Sequence, residues 1–296
     1  MIALSICVNK TQVVKGLARV GMLGTWVAGW TGSFVPVTLP SRAIQPVYLQ
    51  PIPVDSAIEI PADLDEPGAS SALSLPDLRT LPPTDLRIAP LAGGKRELRL
   101  SNTIWNSGQG PLELSGEINP VTSRTRVHQR ITTSNGSLLE VFVGEFIWHP
   151  GHDHWHFEDF TLYELWSLQP NGGLDYVVVS SDKLSYCVID TDPVDRENPA
   201  FSPLRNYFDC GQSLQGLSAG WGDTYKSHLD GQALDITHIP DGNYALVSSV
   251  NPGTILLEAD HNNNRAVVLL EIRGNRLKVV TPEEIRRVNC RENCWS

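Results

Sequence analysis

The chain has 296 residues, 41% of them hydrophobic and 19% charged, a composition of folded globular proteins rather than disordered ones. A formal net charge of −10 and a pI near 5.2 exclude a nucleic-acid partner, because phosphate binding needs a basic surface. The same acidity suits a soluble exported protein, or one that attracts cationic amines.

Lys10, Lys15 and Arg19 precede the apolar run VGMLGTWVAGW from Val20 to Trp30. Positive residues before a short apolar stretch read as a secretory signal over residues 1–40, with an uncleaved anchor as the alternative. The run is too short to span a bilayer comfortably. Residues 41–90 are rich in proline (Pro46, Pro51, Pro53, Pro61, Pro67, Pro82, Pro83), which removes ladder donors and fixes φ, so an extended linker or surface strap is expected.

From residue 91 the pattern changes. ELRLSNTIWNSG alternates, and RTRVHQRITTSNGSLLEVFVGEFIWH reads as two strands around Ser134–Asn135–Gly136–Ser137. DFTLYELWSL and LDYVVVSS flank Pro170–Asn171–Gly172–Gly173 as a further hairpin, and YALVSSVNP and RAVVLLEIR complete the set. Short strands between turn signals predict an all-β fold, an antiparallel sandwich-like domain with long loops over residues 91–275. In the tail, residues 276–296, Thr281 and Glu284 have the spacing of a capping box opening one short helix.

Of the cysteines, Cys7 falls in the targeting segment, leaving Cys187, Cys210, Cys290 and Cys294. An even number fits two disulfides in an oxidising compartment, Cys187–Cys210 and Cys290–Cys294 being the natural pairing; a cytosolic protein with free thiols is the alternative. The former closure is worth roughly 3 kcal/mol on the chain-entropy account.

His152, His154 and His156 recur at intervals of two within WHPGHDHWHFEDF. On a strand that period puts three imidazoles on one face, within reach of one ion, with Asp153 and Trp155 turned the other way. Imidazole suits zinc, copper, iron and nickel, and three neutral nitrogens with an open position make a reactive site. His149 lies at an odd offset and is expected on the opposite face. Glu158 and Asp159 are candidates to hold a ligand histidine by its second nitrogen, or a solvated pair.

Taken together, several stretches resemble the lysyl oxidase family: WHPGHDHWHFEDF its copper-binding stretch, KLSYCVIDT (Lys183 to Thr191) the segment donating the cofactor lysine, and GDTYKSHLDGQALDIT (Gly222 to Thr237) the segment holding the cofactor tyrosine. SLPDL and RLSNTIWNSGQGPLEL upstream, and GNYALVSSVNP and EADHNNN downstream, follow the same order, so the likeness runs from about Leu75 to Ile272. The resemblance implies copper(II) at His152, His154 and His156, and a lysine tyrosylquinone formed from Lys183 and Tyr225. It also implies oxidation by O2 of a primary amine, either a lysine side chain of a protein or a small amine, to an aldehyde, with release of ammonia and hydrogen peroxide. Asp223, His228 and Asp230 are candidates for the base by nearness to Tyr225 in sequence. A secreted or cell-surface location is expected from the N-terminal segment, with membrane anchoring as the alternative. Gly151 and Gly231 stand where the animal enzymes have cysteines, so two of their disulfides cannot form, and the animal collagen and elastin substrates do not carry over. Two other readings compete: an exported metal-binding module without turnover, and a zinc hydrolase with a metal-activated water.

Overall fold

A computed structural model describes residues 73–118, 121 and 124–285. The N-terminal signal, Cys290 and Cys294 lie outside the described residues. Sixteen strands follow in chain order: β1 (Leu78–Thr80), β2 (Thr84–Pro90), β3 (Arg96–Asn106), β4 (Leu112–Glu117), β5 (Arg124–Thr132), β6 (Leu138–His149), β7 (His154–Leu168) and β8 (Leu174–Ser180). Then come β9 (Leu184–Tyr186), β10 (Asp192–Pro193), β11 (Leu214–Leu217), β12 (Trp221–Tyr225), β13 (Ala233–Asp235), β14 (Gly242–Val250), β15 (Arg265–Arg273) and β16 (Arg276–Val279). The fold is all-β and antiparallel, and its short helical turn at 282–285 opens as expected. Thr281 N–H donates to Glu284 Oε2 at 2.8 Å, and Glu284 N–H to Thr281 Oγ1 at 3.3 Å.

Strands β1, β2, β3, β10, β12 and β13 form one sheet; the other ten form the second, with β5, β6, β7, β14 and β15 consecutive at its centre. The hairpin turns sit where the sequence placed them. Gly136 and Gly172 take positive φ (83° and 87°), and their N–H groups close onto Thr133 O and Gln169 O. Two boundaries differ from expectation. Strands β1 and β2 lie in the stretch read as linker and pair with β3, and β16, in the tail, pairs with β15. Pro82 and Pro83 fall between β1 and β2, and Pro90 ends β2, so none interrupts a ladder.

Strand β3 joins the layers. Leu98, Leu100, Asn102, Ile104 and Asn106 recur at period two and are all fully buried. Leu98 and Leu100 pack with Tyr163, Leu165, Leu246 and Leu270; Ile104 packs with Leu78, Leu112, Leu114, Phe146, Phe157, Trp221 and Tyr225. Each such aliphatic side chain contributes about 1.5–3 kcal/mol by leaving water. Asn106 is tolerated because it is saturated: its Oδ1 accepts from Asp77 N and Gly108 N, and its Nδ2 donates to Gly110 O and Leu217 O. The second cluster of the core, around Phe157, Tyr186 and Tyr225, carries the site.

Candidate functional site

Strands β6 and β7 form a hairpin whose register pairs His149 with His154, Trp148 with Trp155 and Ile147 with His156. Directly paired residues point to the same face, and successive ones to opposite faces. His149, His154 and His156 therefore share one face, and Trp148 and Trp155 the other, where their rings meet edge to face at 5.7 Å. Two expectations are corrected here. His149 is not opposite the cluster, because the chain reverses between it and His154 and the odd offset loses its meaning. His152 is not on a strand: it lies in the reversal, where Asp153 adopts φ 58° and both His152 N–H and Asp153 N–H donate to His149 O (3.0 and 2.9 Å).

The turn still delivers His152 to the site. His154 Nε2 lies 2.9 Å from His156 Nε2, and His152 Nδ1 lies 3.2 Å from it. Both approach His156 Nε2, and His149, His152 and His156 offer ring nitrogens that all lie within 4.8 Å of one another. Metal–nitrogen bonds of about 2.0–2.1 Å put neighbouring ligand nitrogens roughly 3 Å apart, the separation seen in both of these pairs. The ring of His149 stacks on that of His156 at 4.7 Å and 21°, with its Nδ1 buried and without a hydrogen-bond partner. Burial, reinforced by the neighbouring histidines, holds the imidazole of His156 down to about 3. Burial also lowers His152 and His154. The cluster is thus neutral, the form that ligates.

His156 Nδ1 meets Ser185 Oγ at 3.2 Å. Glu158 and Asp159 do not hold a histidine: Glu158 pairs with Arg124 at 2.8 Å, and Asp159 with Lys183 at 3.2 Å. Asp159 sits at φ 55° in a bulge where β7 spends extra residues against β9 between the pairs Phe157–Tyr186 and Thr161–Leu184.

Tyr225 arrives from the other sheet. β12 pairs with β3, setting Tyr225 against Asn102, and buries Trp221, Asp223 and Tyr225 on its inner side. The Tyr225 ring lies edge-on to His156 (6.2 Å, 77°) and face-on to Tyr186 (3.8 Å, 24°). Its hydroxyl accepts the Cys187 N–H at 2.7 Å. Burial, and then the Asp223 carboxyl, push its ionisation above the usual phenol range. A cavity of about 70 Å³ is lined by His149, His152, His156, Leu184, Ser185, Tyr225, Asp230, Gly231 and Gln232.

Lys183 is not among these residues. Its amine is half exposed against Asp159, outside the pocket that holds Tyr225. Among the three base candidates, Asp230 lines the cavity and its charge bears on His152. His228 is exposed and does not line it. Asp223 is buried with Oδ2 unpartnered, and burial raises its carboxyl well above the carboxylate range, which makes it a neutral acid rather than a base. Cys187 and Cys210 are joined, across a sequence separation of 23 and with Cα atoms 5.4 Å apart. Their sulfurs lie within 4.8 Å of a ring nitrogen of His154.

Sequence reasoning assigned no role to Ser185, Tyr186 or Gln232. The first two lie inside KLSYCVIDT and Gln232 inside the tyrosine stretch, so the quoted segments contained them without a role.

The lysyl oxidase family pattern matches residues 123–281. Protein-lysine 6-oxidase of Sus scrofa is 36% identical over 127 residues, which are 43% of this chain and 46% of that protein. The Homo sapiens protein of the same name is 37% identical over 127 residues, 43% of this chain and 27% of its own length. Lysyl oxidase homolog 2 of Xenopus tropicalis is 28% identical over 193 residues, 64% of this chain and 20% of that protein. The matched part of this chain therefore covers less than half the length of each of these relatives.

Proposed function

This chain belongs to the lysyl oxidase family, and on that premise we propose that it is a copper-dependent amine oxidase. It would convert a primary amine, a lysine side chain or a small amine, to an aldehyde with release of ammonia and hydrogen peroxide. The observation that carries the reading is the convergence of three neutral imidazoles on one point beside the buried ring of Tyr225. His152, His154 and His156 would hold the copper. With a quinone made from Tyr225, that metal supplies two-electron oxidation of an amine at the expense of O2.

The chain's own residues have the remaining tasks. Ser185 fixes the ring orientation of His156 through Nδ1. Leu184 and the packed aromatic rings restrict water around Tyr225. Asp230, a carboxylate on the cavity wall, is the base we assign to remove the amine's α-proton. An exported location is supported by the Cys187–Cys210 bond.

The spacing of the histidine nitrogens supports copper; the lysine half of the cofactor has no such support, since Lys183 is held by Asp159. Cross-linking to Tyr225 requires Lys183 to leave that partner. This observation favours the second reading, a metal-binding module without turnover. Aerobic copper loading followed by peptide mass spectrometry decides: a peptide joining Lys183 to Tyr225, with amine-dependent peroxide production lost in Lys183→Ala, is the expected result. Separate intact peptides would leave the binding module. Activity without O2 and a preference for zinc would turn the assignment to a hydrolase.

A further inference from the structure

We propose that Tyr186 is a positioning residue that clamps the ring of Tyr225 beside the histidine cluster. Its purpose rests on the amine-oxidase reading; its existence rests on packing alone.

The two rings stack at 3.8 Å and 24°, closer than any other aromatic pair among the described residues. Tyr186 is fully buried, and its hydroxyl is fixed by a closed triangle. Tyr163 O–H donates to Gln232 Oε1 at 2.8 Å, and Gln232 Nε2 donates to Tyr186 Oη at 3.2 Å. Since the Tyr163 proton is spent on Gln232, Tyr186 must be the donor in the 2.5 Å contact between the two hydroxyls. Each phenol gives one hydrogen bond and takes one, so neither hydroxyl can shift without stranding a buried polar atom. Burial raises both phenols, that of Tyr186 to about 12, which keeps the donated protons in place.

A core that only needed filling would use Phe or Leu here, with no demand for Gln232. A polar triangle in this position selects one geometry rather than adding stability. The next residue completes the grip, because Cys187 N–H holds the hydroxyl of Tyr225. One face of the Tyr225 ring is covered by Tyr186, its oxygen is held by Cys187 N–H, and His156 meets the ring edge to face.

The test is ring-flip NMR of Tyr225 in the metal-free, 13C-tyrosine-labelled full chain, with the resonance assigned through Tyr225→Phe. Tyr186→Leu removes the stack and should speed the flip by about tenfold, the equivalent of one aromatic pair. Tyr186→Phe keeps the ring but opens the triangle, and should speed it by about threefold. Cobalt binding at the histidines reports folding of each variant. If Tyr186→Leu loses cobalt binding, Tyr186→Phe decides alone. A wild-type flip rate in the deciding variant overturns the clamp. Aerobic copper loading of the same samples should then give a mass gain confined to the peptides of Tyr225 and Lys183 in the wild type and about tenfold less of it in Tyr186→Leu; an equal yield also overturns the clamp. No gain in the wild type removes the amine-oxidase reading and leaves the flip comparison to stand on its own.

Discussion

The β6–β7 hairpin and the irregular stretch from Lys183 to Asp235 build the two halves of one site by opposite means. In the hairpin, regular pairing does the work: period two and a single reversal gather His149, His152, His154 and His156 from a handful of consecutive residues. In the irregular stretch the strands are only two to five residues long. Side chains come together there through a disulfide, a stacked pair and hydrogen bonds to backbone. Regularity positions ligands cheaply where the donors are alike and near in sequence. Where one particular ring must sit in one orientation, contacts specific to that ring replace periodicity.

The largest expected break in the hairpin half is His156→Ala. His156 is the nitrogen that both other ligands approach, and its removal should lower metal affinity at least about a hundredfold, the upper end of losses seen when only an outer partner is removed. Chelator competition measures it, and a loss smaller than tenfold would mean that another set of donors holds the ion. In the irregular half, replacing Cys187 and Cys210 together by Ser should cost about 3 kcal/mol in urea unfolding. That change also loosens both halves at once, because Cys210 O accepts from Trp155 N–H and Cys187 N–H binds Tyr225. Unchanged stability would show that packing alone holds the stretch.

These two variants mark how much was legible beforehand. The hairpins, the all-β class and the three histidines were readable, because alternation and turn residues are local signals. His149 was misplaced because the odd-offset rule holds within one strand and a turn lay between. Tyr186 and Ser185 carried no signal at all: a tyrosine beside a cysteine looks like any strand aromatic until β12 brings Tyr225 against it. Lys183 and Tyr225 were found by resemblance, and Lys183 lies against Asp159 rather than in the pocket that Tyr225 lines.

Two smaller changes join the halves. Ser185→Ala removes the partner of His156 Nδ1 and should weaken metal binding about tenfold with the fold intact; no change would make Ser185 a bystander. Asp159→Asn should move stability by less than about 1 kcal/mol, since the pair with Lys183 is half exposed. Its effect should show instead in faster appearance of the cross-linked peptide on copper loading. Slower appearance would mean that Asp159 delivers Lys183 rather than detains it.

The reversal at residues 150–153 also has a consequence in time. A hairpin forms in roughly 1–10 μs, whereas contacts across a long span wait for the entropy of loop closure to be overcome. Residues up to His156 also leave the ribosome well before Tyr225 does. The metal-binding half is therefore assembled first, and the tyrosine docks onto a cluster already formed. Pulsed hydrogen exchange during refolding should protect the amide of Asp153, bonded to His149 O, earlier than that of Cys187, bonded to the hydroxyl of Tyr225.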